Sequence, residues 1–227
     1  MNKETRIFKQ GEDTQLRAAT DEDGKRYIEF YGAVFNTESR LIFEDGVVFR
    51  EVVEPDAFDN ALEAKELDVL ATYNHDNTKL LGRFNKMSGA NTLELTPTEI
   101  GLKSRVEIPN TPTGNEVYSL VERGDLDEAS FVFTVDEEGQ SWDFSQEPAL
   151  RTIKSVRGLY DVSVVHKGAY AGGAVTSARA AFDEAKAEAE KPTEEELKQA
   201  QEAEEREVNN SIDEMTIKLH ELKQRKG

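Results

Sequence analysis

The feature that most constrains the fold is a series of short β-prone runs between residues 26 and 165. The runs are rich in Val, Ile, Phe and Tyr, several alternate between apolar and polar residues, and turn-forming residues separate them. Such alternation is typical of antiparallel strands with one buried face. The dipeptide Asp45-Gly46, between two of the runs, is a strong hairpin signal. The pattern predicts an α+β fold of mainly antiparallel strands, arranged as a β-barrel or a β-sandwich.

Two stretches within this region have apolar residues at helical spacing, residues 56–64 and 117–121. Asp56 is expected to cap the first helix, and Gly124 is expected to end the second. Two helices are too few to supply the crossover connections of a doubly wound parallel sheet. We therefore expect one β-rich domain, residues 26–180, with the helices around its strands.

The two ends of the chain differ from this β-rich region. Residues 1 to about 25 are polar without a clear period and are expected to form a flexible N-terminal arm, within which Leu16-Arg17-Ala18-Ala19 could begin an edge strand. From residue 181 to Lys226 there is no glycine and much Ala, Glu, Lys and Gln, which is typical of a long helix. Apolar residues step by 4, 3, 4 and 3 in a heptad seam formed by Val208, Ile212, Met215, Leu219 and Leu222. The seam predicts an acidic coiled-coil tail, residues 181–227, that pairs with another helix and favours a homo-oligomer.

Charge and composition exclude several classes of function. The chain has 46 acidic and 28 basic residues, a net charge of −18, so nucleic acid and anionic membrane surfaces would repel it. The absence of cysteine excludes disulfides, thiolate catalysis and cysteine-ligated metals. No apolar run approaches the ~18 residues of a membrane span, and no signal-peptide segment follows the charged start. We expect a soluble intracellular protein without a cofactor.

His75 is the first candidate for a catalytic residue. Of the three histidines, it is the one with polar neighbours and strand-like apolar residues beyond them, and imidazole exchanges protons near neutral pH. A general base needs a nucleophile, and in a chain without cysteine the best-placed hydroxyl is Ser130, at the start of a β-prone run. A metal site at His75 and Asp76 is disfavoured because no second histidine lies at ligand spacing. His220, beside the heptad seam, is expected on the surface.

Five segments match one known family in residue identity, order and spacing. They are Gly32-Ala33-Val34-Phe35-Asn36; Glu54-Pro55-Asp56-Ala57-Phe58; Asn74-His75-Asp76 with Leu81-Gly82-Arg83; Arg123-Gly124-Asp125-Leu126-Asp127-Glu128-Ala129-Ser130-Phe131-Val132-Phe133; and Asp161-Val162-Ser163-Val164-Val165 with Ala169-Tyr170. Over roughly residues 25 to 180 the chain closely resembles the prohead maturation proteases of tailed bacteriophages. A chance match to five such segments in series is improbable.

The resemblance implies a serine protease whose fold is similar to herpesvirus assemblin, an antiparallel β-barrel wrapped by helices. It also implies that the protease acts inside the immature procapsid in the host cytoplasm. Its substrates would be the major capsid protein, scaffold segments and the protease itself. A non-catalytic scaffold or assembly factor with a coiled-coil tail is the alternative. The simultaneous presence of His75, Ser130 and Asp161 favours the protease, because a decayed enzyme is expected to lose at least one of them.

The resemblance also implies the catalytic roles. Ser130 would be the nucleophile, His75 the general base, and Asp161 the group that orients the imidazole. Two rivals remain for the third role. His166 would give the Ser-His-His arrangement of the herpesvirus enzymes, but along a strand it has the opposite parity to Asp161. Asp76 is adjacent to His75 and would point to the other face if the strand continues.

Overall fold

The computed structural model describes residues 3–9, 13–44, 46–166, 177–191 and 198. The strands are, in chain order, β1 Glu4–Lys9, β2 Arg17–Thr20, β3 Arg26–Val34, β4 Ile42–Glu44, β5 Val47–Val53, β6 Asp68–Tyr73, β7 Asp76–Asn85, β8 Ala90–Asn91, β9 Leu93–Pro97, β10 Gly101–Glu107, β11 Glu128–Val135, β12 Gln140–Asp143, β13 Ala149–Ile153 and β14 Val156–Val165. The helices are α1 Asp59–Glu63, α2 Pro112–Glu122 and α3 Ser177–Ala189, and Glu137–Gly139 is a short 3-10 turn. The prediction of a mainly β protein is confirmed.

The strands form three sheets. Their orders are β1-β11-β14-β6-β7-β8, β2-β3-β10-β9 and β12-β13-β5-β4. Pairing is antiparallel as predicted, except that β14 lies parallel to β6 and β13 lies parallel to β5. Among the described residues no sheet pairs its first strand with its last, so the predicted closed barrel is wrong. The sheets bury their apolar faces by packing on one another, with β3 against β11, and closure is not needed for that.

The apolar core lies against one face of β11. Phe131 and Phe133, two residues apart, stack with their ring centroids 4.8 Å apart, and Phe58 meets Phe131 edge-on at 5.5 Å. All three rings are fully buried. Because side chains alternate along a strand, Ser130 is directed to the opposite face of β11. Burial of the phenylalanines thus holds in place the strand that carries the candidate nucleophile.

Local signals predicted some features correctly and missed others. β4 and β5 pair antiparallel, as the hairpin signal predicts, Gly46 just before β5 has φ of +81°, and Gly124, with φ of +76°, follows the end of α2. The cap predicted at Asp56 is wrong, because α1 begins only at Asp59. Asp56 therefore lies in the preceding turn, outside the position from which a side chain caps the first helical N–H groups.

The predicted flexible arm contains two strands in its described part. β1 pairs with β11 at the edge of the six-stranded sheet, and β2 pairs with β3. No hydrophobic period reveals β1, because the side chains of Glu4 and Arg6 are buried by ion pairing. The sequence pattern could not distinguish such a strand from a solvated arm.

A buried ion cluster holds β1 against the third sheet. Its members are Glu4, Arg6, Glu44, Glu51 and Arg151, each at most 5% exposed. Arg6 Nε lies 2.9 Å from Glu51 Oε1, and Arg151 Nη1 lies 2.5 Å from Glu4 Oε2 and 2.9 Å from Glu51 Oε2. Burial alone would lower the pKa of Arg6, but the surrounding carboxylates hold it above its usual value. Burial raises the pKa of Glu44, against the opposing effect of Arg6.

Replacing Arg151 with alanine is expected to destabilise the protein by about 3–5 kcal/mol, because it leaves buried carboxylates with one guanidinium fewer. The urea midpoint measures the change. Arg157→Ala is the matched control, since Arg157 pairs with Asp136 on the surface, and surface pairs contribute little. If the two variants unfold at the same urea concentration, the cluster does not stabilise the fold.

The chain divides into two compact units, residues 1–185 and 186–227. The fourteen described strands, α1 and α2 belong to the first unit. Phe182 of α3 meets Trp142 of β12 edge-on at 5.2 Å, so packing within this unit extends two residues past the predicted boundary at 180. The predicted long tail helix is not supported, because the described helix α3 ends at Ala189, and the heptad seam lies outside the described residues. No described helix is long and apolar enough to cross a bilayer.

Candidate active site

Three adjacent strands of the six-stranded sheet place hydroxyl groups in one row. Ser130 of β11 lies opposite Ser163 of β14, and Ser163 lies opposite Thr72 of β6. All three residues are fully buried. Asp161 precedes Ser163 by two residues and therefore faces the same side of the sheet. Ser130 is the third residue of its strand, whereas the sequence pattern predicts a strand that begins at Ser130.

His75 lies in the tight turn between β6 and β7. Tyr73 pairs with Asp76, and the two residues between them, Asn74 and His75, have φ values of +58° and +55°. A two-residue hairpin with positive φ at both positions is the geometry of a type I′ turn. This conformation is uncommon for residues other than glycine, although asparagine and histidine adopt it more often than most. The strand therefore ends before His75. Asp76 is expected to point to the other face only if the strand continues through His75, and this condition is not met.

Asn74 ties this turn to the end of β14. Its backbone N–H donates to Val164 O at 3.0 Å, and its side-chain Oδ1 accepts from the backbone N–H of His166 at 2.8 Å. These two bonds fix the turn relative to the strand that carries Asp161. A left-handed conformation at His75 persists only when its surroundings hold it, and Asn74 supplies part of that support.

The three predicted side chains form one hydrogen-bonded chain. His75 Nδ1 lies 2.8 Å from Asp161 Oδ1, and His75 Nε2 lies 2.6 Å from Ser130 Oγ. The side chains of His75 and Asp161 are 11% and 9% exposed. When Nδ1–H donates a hydrogen bond to the carboxylate, Nε2 carries no hydrogen and can accept the serine proton. This is the order of groups that a serine hydrolase uses.

Two further hydroxyls surround the carboxylate. Thr72 Oγ1 donates to Asp161 Oδ2 at 2.9 Å, Ser163 Oγ donates to Asp161 Oδ1, and the two hydroxyl oxygens lie 2.7 Å apart. Both carboxylate oxygens thus have fixed partners, which orient the carboxylate toward the imidazole. Sequence reasoning missed both hydroxyls. The parity of Ser163 with Asp161 was a usable signal, but Thr72 is found only from the parallel register of β14 and β6.

The rivals for the third role lie elsewhere. The side chain of His166 is exposed. Asp76 Oδ1 accepts from the backbone N–H of Thr78 at 2.9 Å and from its hydroxyl at 2.6 Å, and Lys79 Nζ lies 3.7 Å from Asp76 Oδ2. Within the described ranges, the carboxylate at hydrogen-bonding distance from His75 is that of Asp161. The same ranges contain no group of three or more His, Cys, Asp or Glu side chains that could hold a metal ion.

Comparison with known proteins identifies the family. The chain is similar to a solved structure, that of the bacteriophage T4 capsid assembly protease, with 11% identity and a TM-score of 0.40 over 73% of this chain and 99% of the other. No curated protein sequence matches it. Residues 12–188 match the family described as Caudovirus prohead serine protease. Because that match spans most of the 227 residues, this chain belongs to the caudovirus prohead serine proteases.

Proposed function

We propose that Ser130, His75 and Asp161 are the catalytic residues of this capsid-maturation protease. The observation that carries the proposal is the hydrogen-bonded chain from Asp161 Oδ1 through both ring nitrogens of His75 to Ser130 Oγ. Each group has one role. Ser130 is the nucleophile, His75 transfers the proton, and Asp161 holds the imidazole in the tautomer that accepts at Nε2.

In the first half of the reaction, Ser130 Oγ attacks the scissile carbonyl carbon while His75 Nε2 takes the hydroxyl proton. Asp161 stabilises the resulting imidazolium through the Nδ1–H bond. The C–N bond then breaks, His75 gives its proton to the leaving amine, and the acyl group remains esterified to Ser130. In the second half, a water molecule attacks the ester with His75 again as base. The carboxylic acid product leaves, and the serine hydroxyl is restored.

We further propose the substrates and the place of action. Membership of a prohead protease family supports cleavage of the major capsid protein and of scaffold segments inside the procapsid, within the host cytoplasm. Self-cleavage is part of the same proposal, because a shell encloses many copies of protease and substrate at high local concentration.

The proposal is tested by incubating the purified chain alone and with a denatured protein, and reading fragments by mass spectrometry. Fragments are expected from the original chain and not from Ser130→Ala. A chain that yields no fragments, or a Ser130→Ala chain that yields the same ones, would contradict the assignment.

For the tail we propose recruitment through helix pairing. The seam from Val208 to Leu222 offers an apolar face, and a segment that pairs with scaffold helices or with a second copy raises the concentration of protease at its substrates. Replacing Ile212 and Leu219 with Asp puts charges into the seam. This change is expected to reduce the number of protease copies in purified immature shells, while cleavage of a short peptide stays unchanged. Equal copy numbers would assign recruitment to the β-rich region instead.

A further inference from the structure

Strand β1 lies directly beside the strand that carries the proposed nucleophile. Ile7 is the direct cross-strand neighbour of Ser130, and the Ser130 hydroxyl donates to the backbone carbonyl oxygen of Arg6 at 2.8 Å. Ser130 is fully buried. The carbonyl of Arg6 therefore occupies a position next to Ser130 Oγ that a scissile carbonyl would need.

The carbonyl of Arg6 also competes with His75 for one hydrogen atom. Ser130 Oγ lies within hydrogen-bonding distance of two acceptors, Arg6 O at 2.8 Å and His75 Nε2 at 2.6 Å. A serine hydroxyl has a single hydrogen to donate. When that hydrogen points to Arg6 O, it is not available to the base. The contact with β1 thus opposes the proton transfer that catalysis needs, besides blocking access.

The attachment of β1 differs from that of the other strands of its sheet. Of its described side chains, from Glu4 to Ile7, none belongs to the apolar core. β1 is an edge strand, held by its backbone pairing with β11 and by the buried ion cluster. That cluster contains three carboxylates and two guanidinium groups, and neither oxygen of Glu44 accepts a hydrogen bond within the described residues. Release of β1 removes Glu4 and Arg6 together, so the net charge of the cluster does not change, and water solvates both released groups again. A strand anchored by apolar side chains would instead expose them to water, so β1 is easier to release than such a strand.

Release of β1 would expose a pairing edge suited to an extended peptide. The backbone groups of β11 would need new partners, and strand addition is the usual way to supply them. A peptide in the register of β1 presents a backbone carbonyl to Ser130, as Arg6 does now. The side chain of that residue enters the space of Arg6, where Glu51 and Glu44 lie 2.9 Å and 3.4 Å from the guanidinium. Two carboxylates there favour a basic side chain.

We propose that β1 is a replaceable strand that occupies the place of an extended substrate segment, and that the residue of this segment on the acyl side of the scissile bond is Lys or Arg. β1 in this position keeps the protease inactive until a substrate strand, or movement of the N-terminus, displaces it. The proposal rests on the role assigned to Ser130.

A disulfide lock tests the replacement. The natural chain has no cysteine, so cysteines at Thr5 and Val132, direct cross-strand neighbours, form the sole pair in the variant. Cross-strand neighbours lie within the Cα separation that a disulfide allows. A fluorophosphonate probe reports on the serine: Ser130 Oγ bonds to phosphorus, fluoride leaves, and His75 takes the proton. We expect the oxidised form to react about tenfold more slowly than the reduced form, because local opening of β1 is blocked.

The control for the lock is a cysteine pair at Thr96 and Lys103, cross-strand neighbours on β9 and β10. Its oxidised and reduced forms are expected to react at equal rates. Equal rates for the two forms of the Thr5–Val132 variant would overturn the proposal. If that variant fails to fold, Arg6→Ala replaces it and is expected to react faster than the original chain, with Arg157→Ala as control; an unchanged rate would overturn the proposal equally.

Peptides test the side-chain preference. The first peptide has the sequence of residues 3–10, Lys-Glu-Thr-Arg-Ile-Phe-Lys-Gln, and the second has Glu in place of its Arg. Each peptide is used at about millimolar concentration, which is comparable with the effective concentration of a tethered strand. The reduced Thr5–Val132 variant is expected to cut the first peptide between Arg and Ile about tenfold faster than the second. This ratio corresponds to a tenfold difference in affinity for the two peptides. Equal cutting of both would overturn the preference. Absence of cutting of either peptide and of any protein would instead contradict the role of Ser130.

Discussion

Replacing Ser130 with alanine is expected to lower kcat/KM by roughly 10⁴-fold or more, and His75→Ala by a similar factor. The double variant is expected to be little worse than either single one. The reason is that His75 Nε2 and Ser130 Oγ, 2.6 Å apart, perform one step together. Without the hydroxyl the base has no proton to take, and without the base the hydroxyl is a weak nucleophile. Steady-state cleavage of one peptide by all four chains measures these losses.

Matched controls exist for both substitutions. Ser119 is exposed on α2, so Ser119→Ala removes a hydroxyl far from the site, and His166→Ala removes the exposed imidazole that was the rival for the third role. Both are expected to keep the activity of the original chain. Independent losses that multiply in the double variant would contradict the assignment. A large loss in His166→Ala would favour the Ser-His-His arrangement.

Asp161→Asn is expected to lower kcat/KM by about 10⁴-fold, the loss seen when an amide replaces the triad carboxylate elsewhere. An amide nitrogen opposite His75 Nδ1 favours the tautomer with hydrogen on Nε2, which cannot accept the serine proton. The fold is expected to persist, because Thr72 and Ser163 are hydroxyls that can accept as well as donate, and both contact Asp161. Peptide cleavage gives the loss, and the urea midpoint checks the fold.

The control for this variant is Asp76→Asn, which makes the same chemical change next to His75 in the chain. Asp76 accepts from Thr78 and faces Lys79, so we expect activity within a few-fold of the original. If Asp161→Asn kept normal kinetics, the third role would pass to another group. If the two variants lost activity equally, the distinction between the carboxylates would fail.

Some features were predictable because neighbouring residues determine them. Strand content follows from β-branched and aromatic runs, the hairpin at Asp45-Gly46 from the conformational freedom of glycine, and the end of α2 from Gly124 at positive φ. The resemblance to prohead proteases also works at this level, since it depends on short segments and their order. It selected His75, Ser130 and Asp161 without any knowledge of their distances.

The I′-type turn at Asn74 and His75 was local too, yet it was missed. Asparagine and histidine adopt positive φ more often than most residues other than glycine, but the pair lacks the glycine that usually marks a two-residue hairpin. The conformation is maintained by bonds from Asn74 to Val164 and His166, about ninety residues along the chain. A partner that distant leaves no periodic signal in the sequence.

The sequence by itself determined most of the strands between residues 26 and 165, several of the turns between them, and the side chains that we propose for the chemistry. Only the tertiary structure decided how strands far apart in the chain lie side by side. The parallel register of β14 with β6 brings Thr72 to Asp161, and the pairing of β1 with β11 brings the backbone carbonyl of Arg6 to the Ser130 hydroxyl. Strand pairing uses backbone groups that every residue has, so its choice depends on the summed burial of all three sheets. A property of the whole fold cannot be read from any one segment.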